Sequence, residues 1–554
     1  MARYAFERLS AQDASFLWAE TPREPMHVGA VGILEAGPLR NDVGGIDIDR
    51  FRRAVEAVLH WIPRYRQLID WTPIEGWPVW IDDRHFDLAY HIRHVALPKP
   101  GTLAQLKEIS ARILARRLDR KHPLWEMWVI EGLEGGEQFA LLNKVHHCML
   151  DGAAGADLSQ ILMSPSQDLV AKEPVPYFPR PAPGRLELFT DTVQHRARQP
   201  LTMLGKALDF ITQPDAALDG LRRRLRAIRD LVDYAVQPAS ETPINGNLSP
   251  HRRFDWLTMP LDNLLELHAV LGCTVNDIVL ATVAGAVRRY LFRHRVELSD
   301  LDFRVAAPVS MRKPGHARLQ GNHVSTWIVP LPLAEADPLA RLRAIREVTL
   351  ELKRKESALG IDSLMAAAEY MPPALIARGT NLAQGPINML VTNVPGPDFP
   401  LYQVGAKLLG MYPVVPLVPG SGLGIALFSY EGKLCWGINA DYELVPDLDA
   451  LADDLRTSFE ELRTATVREY LERRTASEEE TVAAQTKPRS AKKRPARSKA
   501  ARKKRVNGKP RPSRRRPAQK RPAPRIVAVE AEAPAAPEPG AEPAATEPTR
   551  VVVH

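Results

Sequence analysis

Cysteine is scarce in this 554-residue chain: Cys148, Cys273 and Cys435 stand far apart, with no CxxC spacing. That pattern argues against a disulfide framework and a structural zinc site, and it fits a reducing cytoplasm. Also lacking is a clean run of about 20 apolar residues, the length a membrane-spanning helix needs. The longest candidates, Val275 to Val287 and Val414 to Phe428, are broken by Asn276 and Asp277 or by Pro and Gly. The N-terminal stretch MARYAFERLSAQDASFLW spreads its charges and has no apolar centre, so it does not read as a secretory signal. There is no GxSxG nucleophile elbow, and GSGLG (Gly420 to Gly424) lacks both the GxGxxG spacing and the Lys-Ser/Thr of a phosphate loop. His91 and His94 lack a third ligand at metal spacing, so no metal site is expected. A soluble protein, or one lying on a membrane surface, is what these absences leave.

What is present is ordinary globular composition, 45% hydrophobic and 25% charged, on a chain long enough for two or three domains. The net charge of +8 misleads until it is located. Residues 487–554 carry 20 Lys/Arg against 5 Glu, a net +15, which leaves −7 on residues 1–486. Within the tail, Lys487 to Arg525 holds 19 basic residues and no acidic or aromatic one. Such a segment buries too little apolar area to offset its chain entropy, so residues 476–554 are expected to be disordered. Its partners must be polyanions, either an anionic membrane or lipid-droplet surface or, as the lesser alternative, nucleic acid.

The body reads as α+β. Residues 1–173 mix strand-like MHVGAVGIL (Met26 to Leu34) with helical periods at Ile48 to Ile62 and Leu103 to Asp119. Prolines cluster from Pro174 to Pro183, and residues 174–245 read as a helical crossover, including the Arg-studded amphipathic helix Leu221 to Ala235. A second domain follows at 246–475, in which LDNLLELHAVLG ends at Gly272 as a helix C′ glycine should. The tryptophans Trp61, Trp71, Trp77 and Trp80 read as core rather than as a stacking platform.

The stretch QFALLNKVHHCMLDGAAGADLSQIL (Gln138 to Leu162) carries the chemistry. Its first part alternates like a strand, with Phe139, Leu141, Val145 and His147 on one face and Leu142, Lys144 and His146 on the other. The two histidines therefore point opposite ways. Small residues from Gly152 onward lead into a helix with Asp151 near its N-cap, so a strand delivers His147 into a sharp turn with a carboxylate four residues on. A free imidazole titrates near neutrality and can take a proton from a hydroxyl. The same HxxxD spacing recurs at His251 and Asp255, without the paired His or the following Gly. Cys148 falls on the face opposite His147 and reads as packing.

HHCMLDG resembles the HHxxxDG signature of the CoA-dependent acyltransferases, and its surroundings resemble one branch, the bacterial wax ester synthase/acyl-CoA:diacylglycerol acyltransferases. The resemblance runs through LSAQDASFLWAET (Leu9 to Thr21), HPLWEMWVIEGL (His122 to Leu133), TVNDIVLATVAGAVRRYL (Thr274 to Leu291), PVSMR (Pro308 to Arg312), Gly321-Asn322, TNVPGP (Thr392 to Pro397) and SYEGKLCWGINAD (Ser429 to Asp441). It implies two chloramphenicol-acetyltransferase-like domains meeting along a tunnel, with acyl-CoA a substrate and no cofactor. By position, His147 is similar to the family's general base. It would deprotonate the acceptor, a diacylglycerol or else a long-chain alcohol, for direct attack on the thioester. His146 is then a structural histidine. Asp151 caps the helix and pairs with an arginine, for which Arg312 is the candidate. Gly152 permits a backbone angle or a close approach that a side chain would block, and Asn276 of the Asn276-Asp277 pair either orients His147, donates to the oxyanion or simply caps its helix. The resemblance also implies a cytoplasmic enzyme peripherally associated with the inner membrane or lipid droplets. The different-class alternative is a non-catalytic condensation-like domain with a nucleic-acid- or membrane-binding tail.

Overall fold

Strand β7 (Gln138–His146) shows how the molecule is layered, because apolar residues occupy both of its faces. Phe139, Leu141 and Val145 enter one buried cluster, while Ala140 and Leu142 enter another. A strand covered on both sides belongs in the middle of a sheet with a layer on each face. The computed structural model, which describes residues 6–149, 161–168, 173–194, 239–310, 324–356 and 387–486, places it so. Asp151, Gly152, Arg312, Gly321-Asn322, the Leu221 to Ala235 segment and residues 487–554 lie outside the described residues, whereas residues 476–486, expected to be disordered, are helical. By contacts the chain divides into one unit, Met1–Gln485, and a second, Thr486–His554.

The first six-stranded sheet has the order β12-β13-β2-β7-β6-β5, built from β2 (His27–Glu35), β5 (Ile92–Ala96), β6 (Trp125–Leu133), β7, β12 (Tyr402–Gln403) and β13 (Ala406–Val414). The second runs β10-β9-β11-β14-β15-β8, from β8 (Arg252–Pro260), β9 (Phe303–Ser310), β10 (Val324–Leu331), β11 (Met389–Val394), β14 (Leu423–Tyr430) and β15 (Lys433–Asp441). A small sheet, β1 (Phe6–Arg8), β4 (Pro78–Asp82) and β3 (Gln67–Trp71), flanks the first. The strand order crosses the sequence partition at residue 245. β12 and β13 come from the 246–475 segment, yet β13 pairs antiparallel with β2, Met411 opposite Gly32.

Helices cover these sheets where their caps and periods direct. α1 (Ala11–Ala19) is N-capped by Ser10, whose hydroxyl accepts from the Asp13 N–H at 3.1 Å. α2 (Ile48–Val58) begins at the Asp47 cap and gives way to a 3₁₀ turn before Pro63, four residues short of the expected end. After the one-turn α3 (Leu88–His91), α4 (Leu103–Leu114) carries a Thr102–Gln105 capping box. α4 stops before the expected Asp119 because its last carbonyls find side-chain donors: Lys144 Nζ donates to the carbonyls of Ile113 (3.1 Å) and Arg116 (2.8 Å), and His27 Nε2 lies 2.8 Å from that of Leu114. In the second half, α5 (Leu261–Leu271) ends at Gly272, φ +60°, the left-handed residue expected of a C′ glycine. α6 (Val275–Arg293), α7 (Pro338–Glu356) and α8 (Leu448–Thr486) follow. α6 is buried over most of its length, so the longest apolar run of the sequence is a core helix, and among the described residues no single helix is long and apolar enough to cross a membrane.

Candidate active site

β7 ends at His146, and His147–Met149 form a 3₁₀ turn held through three main-chain donors. The His146 N–H donates to the Leu124 carbonyl (2.9 Å), the His147 N–H to the Met26 carbonyl (2.9 Å) and the Cys148 N–H to His146 Nδ1 (3.2 Å). Leu124 belongs to the PLW segment and Met26 leads into β2, so the neighbouring strands fix the turn.

His146 is completely buried. Burial first, then the Arg120 guanidinium and His147, hold its pKa down to about 3, so it is neutral at pH 7. A neutral ring that accepts at Nδ1 carries its proton on Nε2. That nitrogen lies 3.6 Å from Glu20 Oε1, too far for a hydrogen bond and, with the ring uncharged, not an ion pair. Glu20 is instead paired with Arg120 at 2.9 Å, and Arg120 also donates to the Leu17 carbonyl at 2.7 Å.

His147 turns the other way, as the strand alternation requires. Its ring stacks on Phe16 of α1 with centroids 3.9 Å apart and planes at 21°. Nδ1 is buried and, among the described residues, has no hydrogen-bond partner. Burial lowers the pKa below the usual histidine value, opposed in part by the residue's own main chain. The imidazole is therefore in the neutral state a general base requires. Cys148 is buried and its thiol is pushed well up, chiefly by burial, so it stays protonated.

A cavity of about 380 Å³ opens beside the turn, reaching Cys148 and Met149 and lined also by Asp13, Trp77 and Trp80. The arginines on its wall are committed: Arg8 pairs with Glu75 (2.6 Å) and Asp191 (3.2 Å), and Arg64 with Glu7 (3.0 Å). Trp77 and Trp80 are buried in the core beside it, whereas Trp61 and Trp71 are partly exposed.

The Asn276-Asp277 pair sits at the start of α6. Thr274, not Asn276, is the N-cap: its hydroxyl accepts from the Asp277 N–H (3.1 Å), while the Asp277 carboxylate accepts from the Thr274 N–H (2.8 Å). Asp277 also accepts from Thr349 Oγ1 at 2.8 Å, tying α6 to α7. Asn276 Oδ1 accepts from Asn393 Nδ2 at 2.9 Å, which joins the TVND and TNVPGP segments. The capping reading of Asn276 is thus replaced by a side-chain bond to β11.

Outside the site, Asp255 pairs with Lys107 and His251 lies against Tyr442, so the second HxxxD is not a copy of the first. His91 is buried with Nδ1 at 2.8 Å from the Trp125 carbonyl, and His94 pairs with Glu131 at 3.1 Å. Phe16, Glu20 and Arg120 carry the geometry around the histidines without having been singled out in sequence. The first two lie inside LSAQDASFLWAET, and Arg120 has no local signal at all.

The wax ester synthase/diacylglycerol acyltransferase catalytic domain model matches residues 9–279, and the C-terminal domain model of the same family matches 320–463. A Mycobacterium tuberculosis (strain H37Rv) protein carried under a provisional diacylglycerol O-acyltransferase name is 32% identical over 469 residues, covering 83% of this chain and 90% of that one. A probable diacylglycerol O-acyltransferase of M. tuberculosis strain CDC 1551 is 31% identical over 481 residues, covering 84% and 98%. Among solved structures, the wax ester synthase/diacylglycerol acyltransferase from Marinobacter aquaeolei VT8 aligns with a TM-score of 0.59 at 26% identity, over 83% of this chain and 99% of that one. The starter condensation domain of rhizomide synthetase, solved with C8-CoA and Leu-SNAC, aligns with a TM-score of 0.51 at 13% identity over 83% and 94%, a likeness of fold alone. The fold is thus the two-domain, chloramphenicol-acetyltransferase-like one that the sequence resemblance implied, and the chain belongs to the wax ester synthase/diacylglycerol acyltransferase family.

Proposed function

We propose that this enzyme transfers a long-chain acyl group from acyl-CoA to the free hydroxyl of diacylglycerol, forming triacylglycerol. The observation that carries the reading is His147, a neutral imidazole fixed at the end of β7 in the family's signature position. In the reaction, His147 takes the hydroxyl proton as the oxygen attacks the thioester carbonyl. The tetrahedral intermediate then expels CoA thiolate, which takes the proton back from the imidazolium, leaving ester and CoA. The thioester is already activated, so no covalent acyl-enzyme and no cofactor are invoked. Asp151, with Arg312 as its candidate partner, and Gly152 support the turn in this scheme. A long-chain alcohol is the second acceptor, favoured by the dual name of the Marinobacter enzyme. Against the non-catalytic alternative stands the intact HHCMLDG.

Because these acceptors dissolve in membranes, we place the enzyme in the cytoplasm, at the inner membrane or a lipid-droplet surface. The 19 basic residues of Lys487 to Arg525 favour anionic lipid, at about 1 kcal/mol per basic residue near the surface, with nucleic acid the lesser reading. The test pairs labelled palmitoyl-CoA with dioleoylglycerol or hexadecanol, comparing the full chain, His147→Ala and a chain ending at residue 486. Triacylglycerol should be the main product, and His147→Ala should lose roughly 10²- to 10⁴-fold. The truncated chain should keep its activity on detergent-dispersed acceptor but lose salt-sensitive binding to anionic liposomes. A folded His147→Ala variant with near-normal turnover overturns the mechanism, and unchanged liposome binding overturns the role of the tail.

A further inference from the structure

We propose that Phe16 is a positioning residue for acyl transfer, its ring face both holding the His147 imidazole in place and stabilising the imidazolium that forms when His147 takes the acceptor proton. The inference rests on His147 being the base.

The contact puts the imidazole over the face of the Phe16 ring. Centroids 3.9 Å apart with planes at 21° leave a lateral offset of under about 2 Å if the rings meet at van der Waals distance, an offset stack that two neutral rings also adopt. A cation over the same face is attracted. The geometry therefore favours the protonated state of His147, which at neutral pH forms as the acceptor proton is taken.

The surrounding charges make that contribution matter. α1 presents Asp13 and Glu20 on this side. Asp13 accepts from Ser10 Oγ at 2.6 Å, and Glu20 is neutralised by Arg120 at 2.9 Å. From the strands come His146 and His27, both buried with lowered pKa and hence neutral at pH 7, and from the turn the protonated Cys148. Among the described residues no carboxylate is bonded to His147, so the face of Phe16 is the group there placed to meet its developing charge. Phe16 can hold that place because α1 is fixed: Ala14 and Leu17 are buried, Ser10 caps the first turn, and Arg120 and the Glu20 N–H take carbonyls of the last. Burial and rotamer alone would be satisfied by leucine, whereas the electrostatic role requires an electron-rich ring.

The experiment replaces Phe16 with 4-cyanophenylalanine, which keeps the ring, adds a para nitrile and weakens the negative face, and separately uses Phe16→Leu and Phe16→Trp. Two readouts are taken on the full chain: the His147 titration by NMR of labelled imidazole, and the acid limb of the kcat/KM profile. The cyano and leucine variants should lower the His147 pKa by about half a pH unit, the size of an exposed cation–π contact. Both should lower kcat by roughly three- to tenfold with little change in KM, while Phe16→Trp retains the wild-type limb. An unshifted His147 titration in the cyano variant overturns the proposal, since packing alone would then explain the stack. If the NMR titration shifts but the acid limb does not, the electrostatic contact stands and His147 is not the base, so the functional reading fails instead.

Discussion

The paired histidines divide their work by a single peptide unit. His146 is an interior acceptor whose Nδ1 receives the Cys148 N–H, and His147 is the ring stacked on Phe16. Asparagine places an oxygen near the Nδ1 position, so His146→Asn should keep the turn and most of the activity. His146→Ala, which leaves a void and an unpaired N–H, should cost about 2–4 kcal/mol. The pH dependence separates the two histidine roles further. With a folded pKa of about 3 against an unfolded value of 6.5, His146 destabilises nothing above pH 6.5 and costs stability as the pH falls below it, by up to about 1.4 kcal/mol per unit. The asparagine variant should therefore lose less thermal stability than the wild type between pH 7 and pH 4. Equal losses would show that His146 is not held neutral. The opposed directions of the histidines were legible from strand alternation, but Glu20 and Arg120 were not. They act through a contact spanning 100 residues, and no local pattern encodes such a pair.

At the level of the element, α6 shows how a motif that looks chemical can be architectural. Asp277 is buried, closes the capping box with Thr274 and accepts from Thr349 on α7. Asp277→Ala removes a cap worth about 1 kcal/mol and one acceptor of the Thr349 hydroxyl, which can still donate to the Arg346 carbonyl at 3.1 Å. A drop of about 1–3 kcal/mol in urea unfolding is expected, with turnover per folded molecule largely kept. If stability is unchanged but turnover collapses, Asp277 belongs to the chemistry. The helix was readable in the sequence from its apolar run, and Gly272 was readable as the stop of the helix before it. The capping reading of Asn276, one of the alternatives the sequence leaves open, sets the cap two residues late, because the Asn-Asp pair draws attention past the Thr274-x-x-Asp277 capping box.

At the level of the whole molecule, the least legible feature is the strand that crosses between the sheets. β13 pairs with β2 about 380 residues away, in the sheet that also contains β7 and hence positions His147. Composition and periodicity report strands, not partners, so the division near residue 245 could not show that residues 402–414 join the earlier sheet. The crossing also brings β13 against β15 of the second sheet, and one residue measures how closely. A Cβ built on Gly437 would stand 1.8 Å from the Pro413 carbonyl oxygen, inside any tolerable contact, with backbone rather than a movable side chain as the obstacle. Gly437→Ala must therefore push β13 and β15 apart, which disturbs both sheets at once and through β2 reaches the turn that carries His147. A loss of about 3 kcal/mol or more is expected, at the upper end of what overpacking costs, together with a fall in activity at temperatures where the variant remains folded. Gly37, where a Cβ would meet nothing within 4 Å, supplies the control, and Gly37→Ala should stay within about 0.5 kcal/mol of the wild type. Should Gly437→Ala unfold at the wild-type urea midpoint with normal turnover, the two sheets do not depend on this contact for their registry.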